Sequence, residues 1–365
     1  MKDKLHTIGM SAVVLLWAVL TASAWFAPVK DISEAERRPL AQAPELSADT
    51  LLSGRFMADF EDFSLDQFPL RDGFRTVKSL FHFHVLDQSD NNGIYITEGA
   101  AVKQEYPLNP DALYHAAERF HYLYEKYLKA SDTYLAIIPD KGHYLAEESG
   151  HLALHFGKLK SILSDRMPWA VPIDLYNALD ADDYYRTDVH WRQENLFEAA
   201  TVICDALGVT PPEPEDYTVT VLERPFYGVY YGQAALPMEP ETMYLLESDL
   251  LRECSVYDYE SGKYTDVYNM EKCSGRDLYD VFLSGPRSLL TIENPNAKTD
   301  RELILFRDSF GSSMAPLLVQ DYAKVTLVDI RYVQIDVLDR FLDFKGQDVL
   351  FLYSVPVLNN SQTIK

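Results

Sequence analysis

The chain has 365 residues, 47% hydrophobic and 13% aromatic, which is ample for a sizeable core and excludes a disordered protein. Against 33 basic side chains stand 56 acidic ones, a formal charge of -23. Such a field repels phosphate backbones and anionic lipid surfaces, so nucleic acid is excluded as an expected partner.

The first predicted element is of membrane length. Ile8 to Ala27 is a run of 20 residues without a charge, about the 20 that a helix needs to cross a bilayer. Lys2 and Lys4 ahead of it favour an N-terminus held inside and a body exported to the outside. Residues 1–30 are therefore expected to be a cytoplasmic stub and single-pass cell-membrane anchor, and 31–365 an extracytoplasmic domain. "ASA" at Ala22 to Ala24 leaves cleavage open, although the apolar run exceeds the ~7 to 15 residues of a signal-peptide core.

From Glu36 to Leu86, acidic and aromatic residues recur at spacings that predict amphipathic helices broken near Pro69. "NNGIYITEGAAVKQ", from Asn91, predicts a hairpin with a glycine-containing turn. Residues 112–128 carry apolar side chains at helical period, and "TYLAIIP", 133 to 139, has the continuous apolar character of a buried parallel strand. "HLALH" places His151 and His155 four apart on an expected surface helix, without the HExxH order of a zinc site. No metal or other cofactor is expected.

About 211–300 the text turns tyrosine- and proline-rich, as a loop and strand insertion crossing the sheet edge would. The C-terminal part then alternates: "ELILFRD" strand, "SFGSSMAPLLVQDY" helix, "KVTLVDI" strand, "VQIDVLDRFLDF" helix, "DVLFLYS" strand. That pattern predicts an α/β fold whose mostly parallel sheet is covered on both faces, with ligands at the carboxyl ends of the strands. Cys204, Cys254 and Cys273 are too few and scattered for a disulfide framework. Pairing of Cys254 with Cys273 stays open.

Two stretches could carry chemistry. Ser309 follows the first C-terminal strand at an expected helix start, where unpaired N–H groups favour an oxyanion; serine is equally a preferred N-cap. Arg307 stands where a GxSxG elbow has its first glycine, so a standard α/β-hydrolase is not indicated. In "YYRTDVHW", 184 to 191, an extended backbone would send Asp188 and His190 to the same side, within hydrogen-bonding reach of each other. A base oriented by a carboxylate is what a serine nucleophile requires. Trp191, Tyr184 and Tyr185 suit either a sugar-stacking wall or a buried cluster.

With "ERRPLAQAPE", "FSLDQFPLRDGF", "YYRTDVHW", "DLYDVFLSGPRSLLTIEN" and "LILFRDSFGSSMAPLLVQDYAKVTLVDIRY" in this order, the chain resembles the DHHW family of exported bacterial proteins, similar to the alginate O-acetylation proteins and of SGNH-like type. The resemblance runs from about Glu36 to near the C-terminus. It implies a three-layer α/β/α sandwich in which Ser309 attacks an acyl group, His190 is general base then acid, and Asp188 orients His190. Asp308 is then a loop-shaping residue.

Two positions depart from the family pattern. Val189 stands where the name-giving motif has its second histidine, and "SGPRS", 284 to 288, stands where relatives show Gly-Asn. The Gly285 N–H or Arg331 could supply the oxyanion donor instead, and Arg331 could equally pair with Asp329.

The function implied is O-acetyl transfer to a cell-surface or secreted polysaccharide, with a membrane-bound O-acyltransferase partner as acetyl donor. A carbohydrate acetylesterase and a non-catalytic glycan-binding envelope scaffold are the alternatives.

Overall fold

The computed structural model describes residues 2–33 and 35–365. The chain divides into two compact units, residues 1–92 with 231–237, and residues 93–230 with 238–365.

In the first unit, helix Lys2–Phe26 contains a 19-residue span, His6–Ala24, of mean hydropathy 1.8, long and apolar enough to cross a membrane. Helices Arg55–Asp66 and Arg71–His84 follow. They break around Pro69, as expected where a pyrrolidine ring removes an N–H. The basic and acidic residues flanking that break are paired: Arg38 grips Asp66 with two bonds of 2.8 and 2.7 Å, and Arg71 meets Glu36 at 2.5 Å.

The second unit is built on an eight-stranded sheet. Its strands are β1 (Thr133–Ile138), β2 (Val171–Ile173), β3 (Ser255–Asp258), β4 (Lys263–Thr265), β5 (Leu289–Glu293), β6 (Glu302–Arg307), β7 (Lys324–Val328) and β8 (Asp348–Ser354). In space they run β4-β3-β5-β7-β6-β8-β1-β2. From β7 to β2 every pairing is parallel. β5 joins β7 antiparallel, and β3 and β4 extend that edge antiparallel. The tyrosine-rich stretch expected to cross the sheet edge thus supplies the three strands of that edge.

Why the apolar strands lie inside is visible residue by residue. Along β6, Leu303 and Leu305 enter one core while Ile304 and Phe306 enter the other; along β8, Leu350 and Leu352 alternate in the same way with Val349, Phe351 and Tyr353. A strand whose successive side chains are all buried needs a layer on each face. One face is covered by helices Pro110–Leu123 and Phe156–Arg166, the other by helix Phe197–Leu207. The result is the expected three-layer α/β/α sandwich.

Three expected helices differ. "SFGSSMAPLLVQDY" is helical only over Gly311–Met314, followed by a 3-10 turn at Ala315–Leu318. Pro316 has no N–H to continue the α pattern. In "VQIDVLDRFLDF" only Ile335–Arg340 winds, as a 3-10 helix that buries Ile335 and Leu338 at its three-residue period. Residues 151–155 form no helix. His151 instead stacks on Tyr95 with ring centroids 3.8 Å apart, and His155 caps the next helix by accepting from Lys158 N.

Candidate active site

All parallel strands end at one edge, and the chemistry-bearing residues of the C-terminal half follow directly from them. Asp308, just past β6, is fully buried. Its Oδ2 accepts from Ser354 N and Ser354 Oγ at 2.8 and 2.6 Å, and its Oδ1 from Phe310 N at 3.1 Å. The carboxylate therefore latches β6 to β8 and shapes the turn, the role expected of it.

That turn carries Ser309, which is partly exposed. The helix begins at Gly311 with Phe310 at the cap position, so the serine hydroxyl is not used as an N-cap. Gly311 is needed because a Cβ there would lie 2.7 Å from Arg307 Cβ.

The second piece is the loop closed by an antiparallel bridge between Tyr184 and Trp191. Residues 186–190 bend rather than extend, which corrects the expectation of strand alternation. Asp188 and His190 meet because Asp188 Oδ1 accepts the His190 backbone N–H at 3.0 Å. This local side-chain to backbone bond is typical of aspartate in turns.

The same oxygen lies 2.5 Å from His190 Nδ1, and Asp188 Oδ2 accepts from Val229 N at 2.7 Å. An ionised carboxylate only accepts, so Nδ1 carries the proton and Nε2 is left as an acceptor. Ser309 Oγ stands 2.7 Å from that Nε2. Ser309, His190 and Asp188, 119 residues apart at the serine–histidine step, form one hydrogen-bonded line.

The surroundings hold the imidazole in place. Tyr279 lies flat against it, ring centroids 3.9 Å apart and planes 11° from parallel, and Phe310 tilts against it at 4.9 Å. Burial keeps the Tyr279 phenol far above its ordinary pKa and therefore neutral, and its hydroxyl shares a 2.7 Å hydrogen bond with Ser313 Oγ. Val189, the departure from the name-giving motif, packs against the core.

The other expected binding residues are placed differently. Trp191 and Tyr185 are fully buried. The Trp191 indole donates to Ser313 Oγ at 2.8 Å, and Tyr185 packs edge-on to Phe226. Neither offers a ring face to a sugar, so the stacking wall gives way to the buried cluster. The Gly285 N–H already donates to Phe282 O at 3.1 Å. This glycine serves a left-handed turn: φ is +79°, and a Cβ would meet Asp280 Oδ1 at 2.3 Å. Arg331 is committed to Asp329 through two bonds, 2.9 and 2.6 Å.

Sequence reasoning missed Tyr279, although it lies in "DLYDVFLSGPRSLLTIEN". It also missed Gly228, whose absent side chain lets Thr187 and Asp188 pass: a Cβ would lie 2.2 Å from Thr187 O. All three cysteines are free. Among the described residues no group of His, Cys, Asp and Glu could hold a metal.

The fold is an α/β/α sandwich similar to that of SGNH-like proteins, and a serine, a histidine and an aspartate stand in one hydrogen-bonded line beside the carboxyl ends of its parallel strands. Residues 176–328, which contain all three, match the DHHW protein family, and the resemblance read from the sequence stands. The chain is similar in fold to a DHHW family protein from Eubacterium siraeum, with 21% identity and a TM-score of 0.62, over 75% of this chain and 95% of that one. It is similar also to Bacillus cereus PatB1, solved with a sulfonyl adduct, with 18% identity and a TM-score of 0.57, over 73% of this chain and 97% of the other. No curated protein matches the sequence.

Proposed function

We propose that the chain is a membrane-anchored, extracytoplasmic O-acetyltransferase that carries an acetyl group on Ser309 and passes it to a hydroxyl of a cell-surface or secreted polysaccharide. The observation that supports this most directly is the 2.7 Å approach of Ser309 Oγ to His190 Nε2, with Asp188 behind the ring. The acetyl group and the polysaccharide come from the DHHW resemblance.

In this reading His190 Nε2 takes the hydroxyl proton as Ser309 Oγ bonds to the acetyl carbonyl carbon. His190 then gives its proton to the departing donor group as the acyl bond to it breaks. In the second half a sugar hydroxyl loses its proton to His190, attacks the Ser309 ester and leaves acetylated, and the proton returns to Ser309. The donor is a membrane-bound O-acyltransferase partner, reached because helix Lys2–Phe26 tethers the protein to the same bilayer.

The test is acetyl-ester turnover, and covalent labelling by an aryl sulfonyl fluoride, by the wild type and Ser309→Ala. Both should vanish in the variant while its circular dichroism is unchanged; turnover that survives removes the serine mechanism. Offering glycans together with the ester separates transfer from hydrolysis.

A further inference from the structure

Lys141 is a buried cation of the second unit that the mechanism does not use. It follows β1 directly after Pro139 and Asp140 and is only 2% exposed. Removing an ammonium from water costs several kcal/mol unless its donors are used. Here they go to backbone: Nζ donates to Tyr185 O at 2.7 Å and to Arg186 O at 3.2 Å, and it lies 5.2 Å from the centre of the Tyr230 ring.

Glu241 works on the opposite side of the same segment. Its Oε1 accepts from Arg186 N at 2.7 Å, and its Oε2 from Thr187 N and Thr187 Oγ1, both at 2.7 Å. The Glu241 backbone is in turn pinned to Phe226 by a reciprocal pair of 2.9 Å bonds.

These contacts fall on two successive peptide groups. In the first, joining Tyr185 to Arg186, the carbonyl goes to Lys141 and the N–H to Glu241. In the second, joining Arg186 to Thr187, the carbonyl goes to Lys141 and to Ala101 N at 2.8 Å, and the N–H again to Glu241. A peptide unit is planar with its C=O and N–H opposed, so gripping both ends fixes the rotation of the plane. Two planes so fixed set the direction in which the next residue, Asp188, leaves the backbone.

We propose that Lys141 and Glu241 are positioning residues for the Ser309–His190–Asp188 line, a two-sided ionic clamp that sets the pitch of the Asp188 carboxylate through the peptide planes of residues 185–187. The proposal rests on the acyl-transfer reading for its kinetic consequence, and on geometry alone for its effect on His190. Charge supports it. Burial pulls the Lys141 pKa down to about 8, but Asp188, then Glu241 and Asp140, oppose the fall, and the side chain stays a cation at neutral pH.

The experiment uses the full chain in detergent micelles, with Lys141→Met, Lys141→Arg and Glu241→Gln. Two readouts are taken on protein shown to be folded by circular dichroism: kinetics on a chromogenic acetyl ester, and the ¹⁵N and ¹H resonances of the His190 Nδ1–H. Lys141→Met and Glu241→Gln should each lower kcat by roughly 10- to 100-fold, the scale of a small misplacement of a reacting group. KM should change little, and the Nδ1–H resonance should move from its wild-type position. Lys141→Arg, which keeps the cation, should recover part of both.

Wild-type kcat and an unmoved resonance in the two neutral variants overturn the clamp. If Lys141→Met does not fold, Glu241→Gln decides, because it keeps size and lies at the half-buried rim. A resonance that moves in variants of a protein whose Ser309→Ala form still turns over ester upholds the clamp and removes only the acyl reading.

Discussion

His190 and Tyr279 lie face to face, 3.9 Å between ring centroids, with the phenol oxygen anchored to Ser313. The stack fixes the imidazole rotamer between Asp188 and Ser309, and an aromatic face favours the ring when it becomes cationic. Tyr279→Leu should therefore lower kcat on an acetyl ester by about tenfold or more with KM nearly unchanged. Tyr279→Phe, which keeps the ring and loses only the bond to Ser313, should retain most of the activity. Equal losses in both variants would show that the hydroxyl, not the stack, matters.

Asp188 uses both oxygens: one serves the His190 backbone and ring, the other Val229 N. An amide in its place can accept at one end only, so Asp188→Asn leaves either His190 Nδ1 or Val229 N facing an NH₂. If the acyl reading holds, kcat should fall by about 10⁴-fold, as expected when a histidine base loses its tautomer. A loss below tenfold, measured by burst and steady-state kinetics, contradicts that role.

Gly228 should tolerate no side chain. An added Cβ would stand 2.2 Å from Thr187 O and 2.4 Å from Asp188 Cα, and backbone cannot yield as a flexible side chain does. Gly228→Ala should destabilise by about 1–3 kcal/mol, as overpacking does, and should weaken turnover. Gly73→Ala is the control: it has open space in helix Arg71–His84, where alanine should gain about 0.5–1 kcal/mol. Thermal unfolding of the pair checks both signs.

Asp140 gives a pH signature. Burial, with Glu105 adding to it, raises its pKa to about 7, against roughly 4 in an unfolded chain. The folded state thus keeps a proton that the unfolded state has already lost. This contribution to stability is complete below about pH 4, declines as pH rises, and is gone above about pH 7. Asp140→Asn retains the cap to His143 N and removes the titration. The melting temperature of the variant relative to wild type should climb between about pH 4 and 7 and then level off; a difference that shrinks over that range refutes the assignment.

Much of this protein could be read from order along the chain. The short, largely apolar runs within 133–138, 302–307, 324–328 and 348–354, alternating with helical patterns, predict strands buried on both faces, because every other side chain would otherwise meet water. The position of Ser309 just past such a strand, and the nearness of Asp188 to His190, are local facts, set by two residues of spacing. The motifs that carry the DHHW resemblance are local as well.

What depended on the folded molecule is whatever joins distant segments. Only packing reveals that Trp191 and Tyr185 are core rather than ligand wall, since an aromatic residue in a polar stretch reads the same in either place. Only packing commits the Gly285 N–H to Phe282 and Arg331 to Asp329, because a donor's partner is a matter of direction, not composition. Tyr279, Lys141 and Glu241 reach the histidine loop from 89, 44 and 55 residues away, and no periodicity records such a meeting. Sequence spacing determines which side chains can touch along one element; tertiary structure decides which donors and acceptors are already taken, and so which remain for chemistry.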